Sequence, residues 1–205
     1  MHQDKSCHQL ATMASTDTSK QSAIVWPLHF QPGTTDNFTS NEVIAKNISA
    51  SQVWAQLDDI SKWQSYYPNC SDITPPSSGP WLKKGDTFHF STFGFPVLEC
   101  QVKESVPLGS GQAGRLAWSA ALKGGEDEAV EVYHAWLVED LPNERVRILT
   151  QESQIGKPAA ALADKKPNMM LLGHQDWLDG LLAAAKGNQV VKEETNLAKA
   201  GQLAY

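Results

Sequence analysis

At 205 residues, with 41% apolar and 20% charged side chains, the chain is long enough for one domain with a substantial core and tails. Its formal net charge of -6 and the lack of any Lys or Arg run longer than a pair (Lys83-Lys84, Lys165-Lys166) argue against nucleic acid and anionic membranes as partners. No segment approaches the roughly 18 consecutive apolar residues of a membrane span.

Residues 1–22 are polar, patternless and without the apolar stretch of a signal peptide, so a disordered tail is expected there. Cys7, Cys70 and Cys100 have no metal-like spacing and leave one thiol unpaired, which fits a reducing, cytoplasmic compartment. Residues 23–40 hold the apolar run Ala23 to Phe30, interrupted by Pro27, and read as an extended arm or edge strand. The first full strand is expected over Asn41 to Ile48. Ser49 and Gln52 then stand in capping-box spacing before Val53, Trp54, Leu57 and Ile60 at helical period. Ser61 and Gln64 repeat the spacing ahead of Trp63, Tyr66 and Tyr67, which predicts a second short helix closed by Pro68-Asn69.

From about Cys70 to Gln154 turn clusters separate apolar runs of strand length: Asp86–Phe93, Val97–Ser105, Gly114–Leu122, Ala129–Glu139 and Arg145–Gln154. Gaps this short suit an antiparallel meander, because parallel strands need long crossovers. A helix is expected from about Pro167 to Lys186, with Gly187 as its C′ residue and Met170, His174, Trp177, Leu178, Leu181 and Ala185 on one stripe. Residues 188–205 read as a loose tail. A long helix laid on a curved sheet touches it along a line, so a hollow remains beside it unless large side chains fill the space.

The run Ile48-Ser-Ala-Ser-Gln-Val-Trp-Ala-Gln-Leu-Asp-Asp-Ile-Ser-Lys-Trp63, followed by Tyr67-Pro68, resembles the opening of START-like proteins. It is most similar to the polyketide cyclase/dehydrase-like (SRPBCC) group. Leu82-Lys-Lys-Gly-Asp86 and Gly173-His174 with Trp177-Leu178 add to the likeness over residues 40–187. The resemblance implies an α+β helix-grip fold for residues 41–187: about seven antiparallel strands wrapped around a long C-terminal helix, two short helices after the first strand, and a deep pocket between. It brings no shared catalytic set, so the site must come from the residues themselves.

Strand alternation places Val132, His134, Trp136 and Val138 on one face, taken as inward, and Val146, Ile148, Thr150 and Glu152 inward on the next strand. His174 lies on the closing helix's apolar stripe. His134, Glu152 and His174 are therefore the candidate catalytic residues, since a histidine beside a carboxylate in a dry pocket is suited to general base work. Each histidine could equally be a hydrogen-bonded core residue, and Glu152 a strand-end group bonded to a loop. Phe88, Phe90, Phe93, Trp118, Trp136, Met170 and Trp177 are candidate ligand contacts, their alternative role being to fill the core. Two histidines and a carboxylate could form an iron triad, but that geometry normally arises in other folds, and the chain has no HExxH, no Gly-x-Gly-x-x-Gly and no phosphate loop, so no metal and no cofactor are expected.

The expected function is that of a small-molecule-binding protein. The leading form is a cofactor-free cyclase, dehydratase or isomerase of secondary metabolism, acting on a polyketide-like or other carbonyl-rich metabolite. The alternatives are a carrier of an apolar or aromatic metabolite or lipid, and an interaction module. A monomer or homodimer is expected.

Overall fold

The computed structural model describes residues 21–201. The expected disorder of residues 1–20 and the last four residues of the C-terminal tail lie outside the described residues. Seven strands form one antiparallel sheet: β1 (Asn37–Lys46), β2 (Cys70–Thr74), β3 (Thr87–Thr92), β4 (Leu98–Val106), β5 (Gly114–Leu122), β6 (Val130–Leu141) and β7 (Arg145–Ile155). Their order is β1-β7-β6-β5-β4-β3-β2, so the two ends of the sheet are β1 and β2. Helices α1 (Ala50–Leu57) and α2 (Trp63–Tyr66) follow β1, and α4 (Met169–Ala185) lies in the sheet's concave face after a short α3 (Lys157–Asp164). This is the expected helix-grip α+β architecture.

Local chemistry accounts for most of these elements. The Ser49 capping box forms, with Gln52 N–H donating to Ser49 Oγ and Ser49 N–H donating to Gln52 Oε1. The second predicted box does not form. Asp59 takes its place, accepting from both the backbone N–H and the hydroxyl of Ser61. A carboxylate is the better acceptor for the free N–H groups at a helix start. β1 begins at Asn37, four residues before the expected start at Asn41, because polar residues occupy its inward positions and hide its alternation. α3 is absent from the sequence expectation: it is a short alanine-rich stretch with Pro158 in its first turn, and it buries only Ala159.

The expected α4 stripe is buried throughout. Gly180 lets the helix approach α2 closely, since a Cβ there would overlap the carbonyl oxygen of Tyr66. Residues 188–201, expected as a loose tail, fold back on α4. Asp176 accepts from the backbone N–H groups of Asn196 and Leu197, which start α5 (Asn196–Lys199), and Leu197 is fully buried.

The apolar run Ala23–Phe30 lies as an arm on the side of the sheet away from α4. It crosses the convex face of the sheet, where Phe30 stacks on Tyr133 at 5.6 Å and Ile24 covers Leu137 and Leu149. Arg147 fastens it by donating to Ser22 O at 2.8 Å while pairing with Glu42 and Glu139. Both faces of β5, β6 and β7 are thus covered, which accounts for the near-continuous burial along β6 and β7. No helix among the described residues is long and apolar enough to cross a membrane.

Gly180→Ala is expected to destabilise the fold by about 3 kcal/mol through overpacking, against the slight gain that alanine gives an open helix. Urea unfolding measures this, and an unchanged or higher midpoint would rule out the close approach of α4 to α2.

Candidate functional site

Antiparallel register builds the site. Trp118 on β5 stands opposite His134 on β6, His134 opposite Glu152 on β7, and Glu152 opposite Thr39 on β1. Directly paired residues share a face, so these four side chains form one row across the concave surface. α4 lowers His174 onto the row. His134 Nδ1 lies 2.9 Å and His174 Nε2 3.3 Å from Glu152 Oε2. The three residues are 2%, 1% and 5% exposed, for His134, His174 and Glu152 in turn.

The outer atoms of the trio are also held. His134 Nε2 lies 2.7 Å from Thr150 Oγ1, and His174 Nδ1 lies 3.0 Å from Thr39 Oγ1. Gln154 Nε2 donates to Glu152 Oε1 at 2.6 Å, and Asn37 Nδ2 donates to Gln154 Oε1 at 2.8 Å. Asn37 in turn accepts from Asn168, the N-cap of α4. The polar chain thus ties β1 and β7 to the start of the closing helix.

A carboxylate can only accept, so with Glu152 ionised both facing ring nitrogens carry their proton toward it. Burial holds His134 down to about 4, the adjacent Glu152 offsetting only part of that effect. Burial alone would raise Glu152, but the two imidazole contacts outweigh it and hold its carboxyl at about 2. At neutral pH Glu152 is therefore an anion beside a neutral His134.

The cavity beside this trio measures about 30 Å³. That is room for about one or two waters, far short of a drug-sized ligand. Phe90, Phe93, Trp118, Met170 and Trp177 line it, as the sequence suggested, together with the catalytic candidates. Phe88 and Trp136 do not. Phe88 packs edge-on to Trp63 at 5.8 Å, and Trp136 lies stacked against His134 at 5.5 Å in solid core. Stacked Tyr67 and Trp177 (4.4 Å, 10°) and the buried Trp63 fill the space expected to be hollow. A far larger concavity of about 740 Å³ lies on the opposite face beside the arm, but it is open and holds none of the trio.

One part of the wall is built differently. Phe93 sits in the β3–β4 turn at a left-handed φ of 56°, partly exposed, with its ring against Gly173 of α4. A Cβ at residue 173 would overlap that ring.

A hypothetical protein of Helicobacter pylori of known structure is 49% identical to this chain. The match covers 82% of this chain and 98% of that one, with a TM-score of 0.77. Ara h 8.0201 matches at 10% identity over 74% of this chain and 100% of its own (TM-score 0.51), and a conserved Geobacillus kaustophilus protein at 10% over 75% and 97% (TM-score 0.51). The chain belongs to the same family as that Helicobacter pylori protein, and its fold is START-like. No family model and no curated protein matches it. The two more distant likenesses establish the fold alone. The deep pocket that the START-like resemblance implied is here reduced to a small cavity, because Trp63, Trp118, Trp136 and Trp177 and their aromatic neighbours occupy much of the grip.

The polar residues that sequence reasoning missed are Thr39, Asn37 and Gln154. Thr150 was placed inward without a partner. The available signal was a strand whose alternate residues Asn37, Thr39 and Asn41 are all polar and all buried. Polar groups on a buried face need partners, so such a strand marks a buried network.

Two outcomes follow from this geometry. His134 and Glu152 both bind protons more weakly in the folded than in the unfolded chain, so acid favours unfolding. Stability is full above the ordinary histidine value of 6.5 and falls through His134 as pH drops toward about 4. Glu152 extends the loss from 4.5 toward about 2. The His134 part should amount to about 3 kcal/mol. His134→Gln should flatten the 6.5-to-4 window in pH-dependent denaturant titrations; an unchanged slope would mean that His134 is not held neutral. Second, Gly173→Ala should push the Phe93 ring outward and increase acrylamide quenching of tryptophan emission. Unchanged quenching would show that Phe93 does not seal the cavity.

Proposed function

We propose that this protein binds a small, flat, carbonyl-bearing apolar metabolite between α4 and the sheet and moves a proton on it, as a cyclase, dehydratase or isomerase does. The observation that carries the reading is the Glu152 carboxylate, buried in an aromatic cavity and gripped by two imidazoles. A carboxylate–imidazole group shielded from water can take a proton from a carbon next to a carbonyl. The electron pair then moves onto the carbonyl oxygen, and the proton returns at another position. Trp118, Trp177 and Phe90 offer ring faces for a planar substrate, and Met170 adapts to its outline. Entry requires Phe93 to leave Gly173, because the closed cavity of about 30 Å³ admits no metabolite of that class.

A carrier without turnover is the second reading, and one observation favours it. All four imidazole nitrogens already lie near polar partners, so neither ring reaches a substrate without rearranging.

Exchange of the activated methylene protons of 2-tetralone in deuterated water, followed by proton NMR, separates the two. The wild-type chain should accelerate exchange by about 100-fold or more over Glu152→Gln. A rise in melting temperature with 2-tetralone but no exchange would leave only the carrier. No exchange and no thermal shift, with flat aromatic ketones as a class, would remove both.

A further inference from the structure

The atoms that the network leaves facing one another carry a further reading. Thr150, Thr39 and Gln154 hold the far atoms of His134, His174 and Glu152. His134 Nδ1, His174 Nε2 and Glu152 Oε2 remain, and they converge. Two of their separations are 2.9 and 3.3 Å, and ligating atoms of all three residues lie within 4.8 Å of one another. Atoms bound about 2.1 Å from one ion stand about 3.0 Å apart at right angles and about 3.4 Å apart in a tetrahedron. Two edges therefore have ligand spacing already, and side-chain movement of about an ångström closes the third.

The surroundings agree. A ligating imidazole needs its other nitrogen held, since that fixes both tautomer and ring plane, and each ring here has a threonine hydroxyl in that place. Ligation also requires each neutral imidazole to carry its proton on the threonine-side nitrogen instead of the one facing Glu152, the hydroxyl then accepting its hydrogen bond, and in that state the trio carries one negative charge. No Lys or Arg is among the described residues lining the cavity. A buried anion without a cation is costly, and an added cation removes the cost. The adjoining cavity has room for about one or two waters to complete a coordination shell.

We infer that His134 Nδ1, His174 Nε2 and Glu152 Oε2 bind one divalent first-row transition cation, with water in its open positions. Imidazole donors select zinc, iron, cobalt or nickel over calcium and magnesium. This departs from the cofactor-free expectation of the sequence. Its catalytic meaning rests on the proton-transfer reading: cation-bound hydroxide takes the substrate proton and becomes bound water, while the electron pair of the broken C–H bond moves onto the carbonyl oxygen to give an enolate. That relieves the difficulty that all four imidazole nitrogens already have partners, because the base is then the bound water's oxygen.

The test uses the full chain, stripped with a chelator and titrated with zinc chloride by calorimetry and cobalt chloride by visible absorption. His2, Cys7 and His8 offer further donors, so the decisive quantity is the difference between wild type and variant. Wild type should take up one cation more than Glu152→Gln and show cobalt d–d bands that the variant lacks. Thr39→Val and Thr150→Val, which keep shape and remove only the outer hydroxyl, should weaken zinc binding about 10- to 100-fold. A purely structural hydroxyl would leave zinc affinity unchanged. Equal stoichiometry and spectra in wild type and a folded Glu152→Gln would overturn the site. Should Glu152→Gln fail to fold, unaltered zinc affinity in both threonine variants overturns it instead. Cation uptake without 2-tetralone exchange upholds this site and removes the proton-transfer reading. Exchange by stripped protein that takes up no cation does the reverse.

Discussion

A carboxylate in an apolar interior is tolerated only where donors converge on it, and Glu152 imposes that demand on four elements at once. Its Oε2 faces imidazoles from β6 and α4, its Oε1 accepts from Gln154 two residues along its own strand, and Thr39 from β1 reaches the second imidazole. A slip of one residue between β6 and β7 would turn His134 outward and leave the anion without one of its donors. The register of the strands and the seating of α4 are thus locked by the same group on which the proposed chemistry rests. Removing Glu152 alone would leave two imidazoles facing an empty position, whereas removing one imidazole would leave a buried charge, the costlier of the two defects.

Around this polar point the protein is unusually solid. Trp63, Tyr67, Phe88, Phe90, Trp118, Trp136 and Trp177 are all buried, and most touch another of the set with ring centroids 4.4–6.4 Å apart. Such rings exclude water and strengthen every electrostatic contact of the trio. They also use up the volume that a large ligand would need. The arm adds to the rigidity from behind: with the convex face of β5–β7 covered, the sheet has less freedom to flatten and widen the grip. Access is then left to the turn carrying Phe93, whose left-handed backbone is strained and whose ring rests on a glycine rather than in a socket of side chains.

The fold was largely legible in the sequence because its signals are local. A capping box at Ser49, strand-length runs between turn clusters and the stripe from Met170 to Ala185 each report one element, and their order admits few topologies. The trio was legible for the same reason: strand parity put His134 and Glu152 inward, and helical period put His174 on the buried stripe. Thr39 escaped because the strand was started at Asn41, where the polar run ends, and a polar buried face resembles a loop. Phe88 and Trp136, expected as ligand contacts, do not line the cavity, because parity tells which face a side chain takes but not whether its neighbours close over it. Cavity volume is a sum over packed side chains from many elements, and no local pattern encodes it.

The trio also shows why the bland and the chemical readings of a buried histidine are hard to separate by sequence. A core histidine satisfied by hydrogen bonds and a metal-ligating histidine both require one nitrogen fixed by a neighbour. They differ in what the other nitrogen faces. In a merely satisfied core the second nitrogen meets a partner of its own, and the partners of different histidines are unrelated. Here both second nitrogens meet a single oxygen atom, and His134, Glu152 and His174 all line a cavity of about 30 Å³. One oxygen serving two donors is a poor way to satisfy two isolated histidines, since a hydroxyl or carbonyl for each would do so without burying a charge. Convergence on one point beside open space is the arrangement expected when a third species belongs there, and it is the feature that sets these histidines apart from packing residues.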